Sequence, residues 1–162
     1  MLSERLQKSQ KMVRQTYDPN FSWLINETVP WMEFKKTLAE SKIAMVSSCG
    51  FYRQDMHLPF DTWNHLGDPS FREIHRDSPL DRLAVAHCHY DHRFIKEDIN
   101  VAFPVERLKT LEQEGFFAEL SPWIYSFMGY LPEPRQFVQE ACPTIARRLQ
   151  EDRVDGALFT PC

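Results

Sequence analysis

Glycine is scarce in this sequence, with five residues in 162, and long apolar runs are missing altogether. The longest, such as Ile43-Ala44-Met45-Val46, are far short of the roughly 20 residues that a bilayer-spanning helix needs, which excludes a transmembrane helix. No block of Lys or Arg exceeds two residues, and 19 basic residues stand against 23 acidic ones for a formal net charge of −4. The electrostatic footprint of a nucleic-acid-binding protein is therefore lacking, and anionic lipid surfaces are disfavoured. No C-x-x-C pair links the four cysteines, Cys49, Cys88, Cys142 and Cys162. The amino-terminal stretch MLSERLQKSQKMVRQ is charged and has no apolar core, so it does not read as a secretory signal. The expected compartment is the cytoplasm, and a disulfide framework is not expected. No internal repeat is visible. What is present is 43% hydrophobic, 13% aromatic and 26% charged residues, enough apolar material for a domain with a real core and incompatible with a disordered tail or a collagen-like fibre.

Residues 1–30 read as a helical lead-in followed by an extended arm, interrupted by Asp18-Pro19-Asn20 and Pro30; residues 31–162 read as the domain proper. A short helix is expected over residues 31–40, with Trp31, Met32, Phe34, Leu38 and Ala39 as its apolar positions. Ile43 to Ser48 has the small, continuous apolar character of a buried parallel strand. Residues 51–81 are rich in Asp, His, Pro, Arg and aromatics without a regular period, the mark of a long functional loop. Residues 83–89 (LAVAHCH) alternate as a second strand, with His87 and His89 on one face and Cys88 on the alanine face, towards the core. Asp98-Ile99-Asn100-Val101 is a brief extended or capping segment. Residues 104–114 are a helix, opened by Pro104 and stopped by Gly115. Residues 134–152 are a longer helix kinked at Pro143, and residues 154–160 a third strand of parallel type. This order predicts an α/β fold: a mostly parallel sheet with helices on its faces, incomplete at its carboxyl-terminal edge.

In such sheets ligand chemistry gathers beyond the strand carboxyl ends, and here those ends carry Ser47-Ser48-Cys49-Gly50, His89-Tyr90-Asp91-His92 and Thr160-Pro161-Cys162. His87, His89 and His92 could share a metal ion; alternatively, a His paired with Asp91 moves protons or orients a substrate carboxylate. Cys49, between a strand and Gly50, is either a reactive thiol or a half-buried small residue in a turn. Cys142, on a helix, reads as packing. Arg72, after the turn Gly67-Asp68-Pro69, is suited to clamp a carboxylate. A strand that ends on Cys162 with no helix after it calls either for a partner chain to cover that edge or for more chain.

The tracts AMVSSCGFYRQDMHLPFD, GDPSFREI, HCHYDH, EDINVAFPVERL, LSPWIYSFMGYLPEP and VDGALFTPC, in this order and spacing, resemble the selenoprotein B family of glycine, sarcosine, betaine and D-proline reductases, from about residue 40 onward. The resemblance implies reductive cleavage of a C–N bond in a small amino-acid-derived substrate, by a selenol or thiol that is ionised and nucleophilic at neutral pH. It further implies a partner subunit whose pyruvoyl group holds the substrate amine, a thioredoxin-type dithiol as reductant, and a hetero- or homo-oligomer; no cofactor is expected to bind this chain directly. The family's redox residue falls just after the position of Cys162, so selenocysteine is expected next, at a UGA codon read as a stop. Cys49 and Cys88 stand where relatives commonly have Gly and Pro, so neither thiol carries over as the family nucleophile. His89, Asp91 and Arg72 do match. The expected site is therefore Cys162, His89 and Asp91 for chemistry, beside the missing redox residue, with Ser48, Cys49, Gly50, Arg72 and His92 for substrate. Two other readings stay open: a non-catalytic partner subunit that docks through an open sheet edge, and a metalloenzyme using His87, His89 and His92.

Overall fold

Ile43 to Val46 becomes the centre of the sheet because its side chains are small enough to be covered on both faces. In the computed structural model, which describes residues 3–16, 19–23, 25, 28–29 and 31–161, strand β1 (Lys42–Ser47) has neighbours along both edges. On one edge β7 (Gly156–Thr160) runs parallel to it over five residue pairs, Ile43 opposite Gly156 through Ser47 opposite Thr160. On the other edge β5 (Glu119–Leu120) and β6 (Trp123–Phe127) both run parallel to it. Because β7 fills the opposite edge, β5 and β6 are two halves of one sheet position, interrupted at Ser121-Pro122, where proline has no N–H to give to a ladder. Strand β3 (Phe71–His75) closes that side antiparallel to β6. The result is an α/β fold on a mixed, mostly parallel sheet. Strands β2 (Phe51–Arg53) and β4 (Leu83–Val85) form a separate antiparallel pair.

The two faces of the sheet are covered by different elements. Met45, Ile74, Leu120 and Ile124 pack against Phe51, Phe103 and the buried residues Val105 and Leu108 of α3 (Val105–Gln113). On the reverse face Val46 and Tyr125 pack with Ile145 of α4 (Cys142–Glu151), with Phe71, Phe127 and Leu149 around them. A π-helical turn, Phe137–Ala141, leads into α4; the kink expected at Pro143 takes this form because Pro143 cannot donate to a carbonyl one turn back, and a wider turn absorbs the missing bond. Gly115 ends α3 with φ +75°. Residues 93–97 form the short helix α2 (Arg93–Glu97). Asp98 accepts the Asn100 N–H at 2.9 Å and opens a 3₁₀ turn over Ile99–Val101, the capping form of what was expected there.

The chain's contacts divide it into two units, Met1–Glu33 and Phe34–Cys162. In the first, helix α1 (Glu4–Thr16) carries Glu4 in its opening turn and Arg14 in its last, in keeping with the helix dipole. The following segment folds back along it: the Trp23 indole N–H donates to the Leu6 carbonyl at 3.1 Å, and Phe21 meets the Trp23 ring edge-on. Asp18, Pro30 and Cys162 lie outside the described residues. Among the described residues no helix is long and apolar enough to cross a membrane.

Three expectations need correction. Residues 31–40 do not form a helix; only Leu38–Glu40 turns, with the Glu40 carboxylate accepting from both Thr37 N–H and Thr37 Oγ1, while Trp31 and Met32, two of the expected apolar positions, stand exposed. Residues 51–81 are not one irregular loop, since they contain β2 and β3. The second strand stops at Val85 and belongs to the two-stranded sheet. Both edges of β1 are taken by β6 and β7, and the Ala86 N–H is drawn to the Gly50 carbonyl at 2.9 Å.

Candidate functional site

Ser48, Cys49 and Gly50 leave β1 at its carboxyl end, and backbone bonds from three directions hold them there. The Ser48 N–H donates to the Thr160 carbonyl of β7 at 3.1 Å, and the Gly129 N–H, beyond β6, donates to the Ser48 carbonyl at 2.8 Å. The Gly50 N–H donates to the Phe127 carbonyl at 2.9 Å. Gly50 has φ +72°, and a β-carbon on it would lie 2.6 Å from the Ala86 carbonyl oxygen, so glycine alone lets residues 86–92 come this close. The Tyr90 hydroxyl completes the junction by donating to the Cys49 carbonyl at 2.8 Å. Cys49 is fully buried, its Sγ 3.7 Å from the Thr160 carbonyl. It is the packed small residue of the two readings above, not an exposed thiol.

A row of hydroxyls crosses the sheet just before these turns. Ser126, Ser47 and Thr160 are register partners on β6, β1 and β7, so they project from one face. Ser47 Oγ lies 3.5 Å from the Ala102 carbonyl. Ser126 Oγ and Thr160 Oγ1 are buried and meet no hydrogen-bond partner among the described residues. Buried hydroxyls without partners are costly, and two in one row mark a place where a water or a small polar ligand would be held.

The segment 86–92 is a loop, so His87 and His89 do not share a strand face. A run of rings orders it instead. His89 stacks on Tyr130 with ring centres 3.7 Å apart and planes 10° from parallel. His87 meets Tyr90 edge-on at 4.8 Å, and Tyr90 meets His92 at 4.5 Å. His87 Nδ1 accepts the His89 N–H at 3.2 Å. Among the described residues no three His, Cys, Asp or Glu side chains are placed to hold one metal ion, so His87, His89 and His92 do not converge as the metal reading requires. His92 caps α2, and its Nε2 is buried with no partner among the described residues. Asp91 turns outward to Arg93, accepting from its backbone N–H at 3.0 Å and its guanidinium at 2.7 Å. These bonds, the backbone one foremost, hold its carboxyl below the ordinary value.

Cys88 departs furthest from its expected place: it is exposed. It belongs to a surface cleft of about 520 Å³ with residues 59–63 on one wall and residues 85–88 on the other. Arg72 builds that wall from behind. Its guanidinium donates to the carbonyls of Leu58 at 3.0 Å and Pro59 at 3.3 Å and to Ser70 Oγ at 2.7 Å, with Asp68 at 3.9 Å and the Phe60 ring beneath it. Arg72 thus positions the cleft by holding residues 58–60.

A larger cleft, about 570 Å³, lies at the opposite, amino-terminal edge of the sheet, among Lys42, Glu119, Asp152 and Asp155. Its charges are already matched: Lys42 Nζ meets Asp152 at 2.7 Å and Glu119 at 3.0 Å, and Lys36 meets Asp155 at 2.8 Å. The chemistry-bearing side chains gather at the carboxyl edge, the site end of open α/β sheets.

The family model for glycine/sarcosine/betaine reductase selenoprotein B matches residues 8–162. The chain belongs to this family. Among curated proteins it is similar to the D-proline reductase subunit gamma of Acetoanaerobium sticklandii, 36% identical over 131 residues, which is 80% of this chain and 52% of that protein. The chain therefore spans about half the length of that relative. No solved structure matches it. Of the residues singled out in the sequence, the fold brings Ser48, Cys49, Gly50, His87, His89 and Tyr90 to one edge and leaves Asp91 and Arg72 engaged with Arg93 and the 58–70 loop. Ser126 and Tyr130 were missed. Both belong to β6 or the turn after it, whose only local signal is the Trp123-Ile124-Tyr125-Ser126-Phe127 run ahead of Gly129.

Proposed function

We propose that this chain forms part of a reductase subunit that cleaves the C–N bond of a small amino-acid-derived substrate through a selenol or thiol carried just beyond β7. One observation carries the reading. The carboxyl end of β7 is bonded directly to Ser48, through the Ser48 N–H to Thr160 carbonyl contact at 3.1 Å, so a group following Thr160 emerges beside residues 48–50 and the loop that bears His87 and His89.

In this reading the nucleophile's lone pair bonds to the substrate carbon, and the C–N bond breaks with its electrons on nitrogen, which takes up a proton. A thiolate then attacks the selenium or sulfur, and the carbon leaves with the bonding pair and is protonated. The resulting Se–S or S–S bond is reduced by a dithiol, which becomes a disulfide. His89 is the proton source for the departing nitrogen. Ser126 Oγ and Thr160 Oγ1, buried without partners, fit a small polar group such as a substrate carboxylate or the carbonyl-bearing amine holder that the family resemblance assigns to a partner subunit. A non-catalytic role in a complex is the second reading, favoured by the exposed Leu158 and Phe159 on β7.

The test is to purify this chain with its native complex and supply glycine, sarcosine, betaine and D-proline with dithiothreitol. Dithiol-dependent appearance of amine from one of them is expected, and none from any would favour the non-catalytic role. Reading the codon after that of Cys162 addresses the nucleophile separately: a UGA with an in-frame Cys codon after it supports a selenol, and UAA or UAG there removes it.

A further inference from the structure

We propose that Cys88 is a reactive thiol, activated by His89, that undergoes exchange with small disulfides in the cleft between residues 59–63 and 85–88. This goes beyond the reductase reading and does not depend on it. Nothing in that reading uses Cys88, because the nucleophile it needs follows β7.

The geometry is that of a nucleophile beside its base. Cys88 Sγ lies 3.0 Å from His89 Nδ1, and the thiol is exposed. The imidazole is fixed by a third group, Tyr130, which stacks on it at 3.7 Å and is itself tied to the 58–70 loop through the bond from its hydroxyl to the His65 carbonyl at 3.4 Å. Nucleophile, base and positioning ring are the parts that activate a thiol. Cys88 Sγ also lies 3.5 Å from the Thr62 carbonyl, a contact that places the sulfur at the cleft wall. The same cleft carries Trp63, 95% exposed, an aromatic approach for the body of an incoming disulfide. The other described thiols lack this setting: Cys49 is fully buried, and Cys142 is half-buried, with burial pushing its thiol up.

The step balances without a further reagent. The Cys88 proton passes to His89 Nδ1, and the thiolate attacks one sulfur of the disulfide. The new Sγ–S bond forms as the old S–S bond breaks, and the leaving thiolate takes the proton from the imidazolium. Cys88 ends as a mixed disulfide and the other half as a free thiol, and a second thiol reverses the exchange.

The experiment treats the full chain with 4,4′-dithiodipyridine and, separately, with oxidised glutathione, and locates each adduct by peptide mass. The first equivalent is expected on Cys88. At pH 7, where an ordinary thiol is only a few per cent ionised, His89→Gln should slow that reaction about tenfold or more. His89→Phe, which keeps a flat ring against Tyr130, should slow it equally, separating loss of the base from loss of the stack. In urea all three proteins should label Cys88 at one rate. First labelling at Cys142 or Cys162, or unchanged rates in both His89 variants, would overturn the proposal.

Discussion

Gly50 and Gly115 hold almost the same left-handed backbone, φ +72° and +75°, yet their surroundings differ completely. A β-carbon at Gly115 meets nothing within 4 Å, whereas at Gly50 it would sit 2.6 Å from a backbone oxygen that cannot move without breaking the junction of β1 with residues 86–92. Gly115→Ala should therefore cost only the left-handed penalty of about 1–2 kcal/mol. Gly50→Ala should cost several kcal/mol, roughly 3 or more, because the backbone penalty and the clash add. Urea unfolding of the two variants tests this, and equal losses would contradict it. Arg72 acts through its shape more than through its charge. Burial lowers its pKa and Asp68 partly opposes that, yet its value lies in geometry: one planar group donates at once to Leu58, Pro59 and Ser70. Lysine has no such fork, so Arg72→Lys should destabilise by about 1–2 kcal/mol and widen the cleft at residues 59–63. Amide exchange of residues 58–70 faster than wild type would show the widening; unchanged exchange would refute it.

Between elements, the link from α3 to the sheet is a charge pair with a backbone bond attached. Glu112 of α3 accepts from the Arg76 guanidinium, just after β3, and also from the Leu120 N–H of β5 at 2.7 Å. The Arg76 bond, against the opposing effect of burial, holds the Glu112 carboxyl below its ordinary value of 4.5. A lowered carboxyl pKa gives stability that is complete above pH 4.5 and disappears as the pH falls through the lower folded-state value. Glu112→Gln should therefore be less stable than wild type at pH 7, by about 2 kcal/mol, and the two should approach one another towards pH 3. A gap in urea midpoint that stays constant with pH would show that the charge is not the source. Helix α3 and strand β7 were legible because their signals are local: Pro104 and Gly115 bracket one, and a short apolar run makes the other. The end of β4 was not. The alternation of residues 83–89 continues smoothly past Val85, and what ends the pairing is Gly50, more than thirty residues away in the chain, whose left-handed φ of +72° turns the partner strand away after it accepts the Ala86 N–H. Strand β6 was passed over because a five-residue run buried across its middle has no alternation to betray it. The site was legible as a set of strand ends. Which side chains face each other there was not, since His89 finds Tyr130 and Cys88 only through the loop that replaced the expected strand.

At the scale of the molecule the sheet is asymmetric in its cover. β1 and β6 are buried on both faces, as parallel strands are, whereas β7 is apolar and open. Among the described residues it pairs only with β1, and Leu158 and Phe159, which point to opposite faces, are 41% and 66% exposed. A strand with one unpaired edge and apolar side chains exposed on both faces is a template for pairing with another chain. Purified alone, the chain should therefore associate as its concentration rises, and this should show in sedimentation velocity as a weight-average mass climbing above 19.2 kDa. Leu158→Lys with Phe159→Lys should hold it near that mass, because charge on both faces of an edge strand penalises stacking and pairing alike. The same double change should leave the urea midpoint within about 0.5 kcal/mol of wild type, since exposed positions contribute little to folding. A wild-type chain that stays monomeric at every concentration would refute the open-edge argument. Association that survives both lysines would move the contact away from β7.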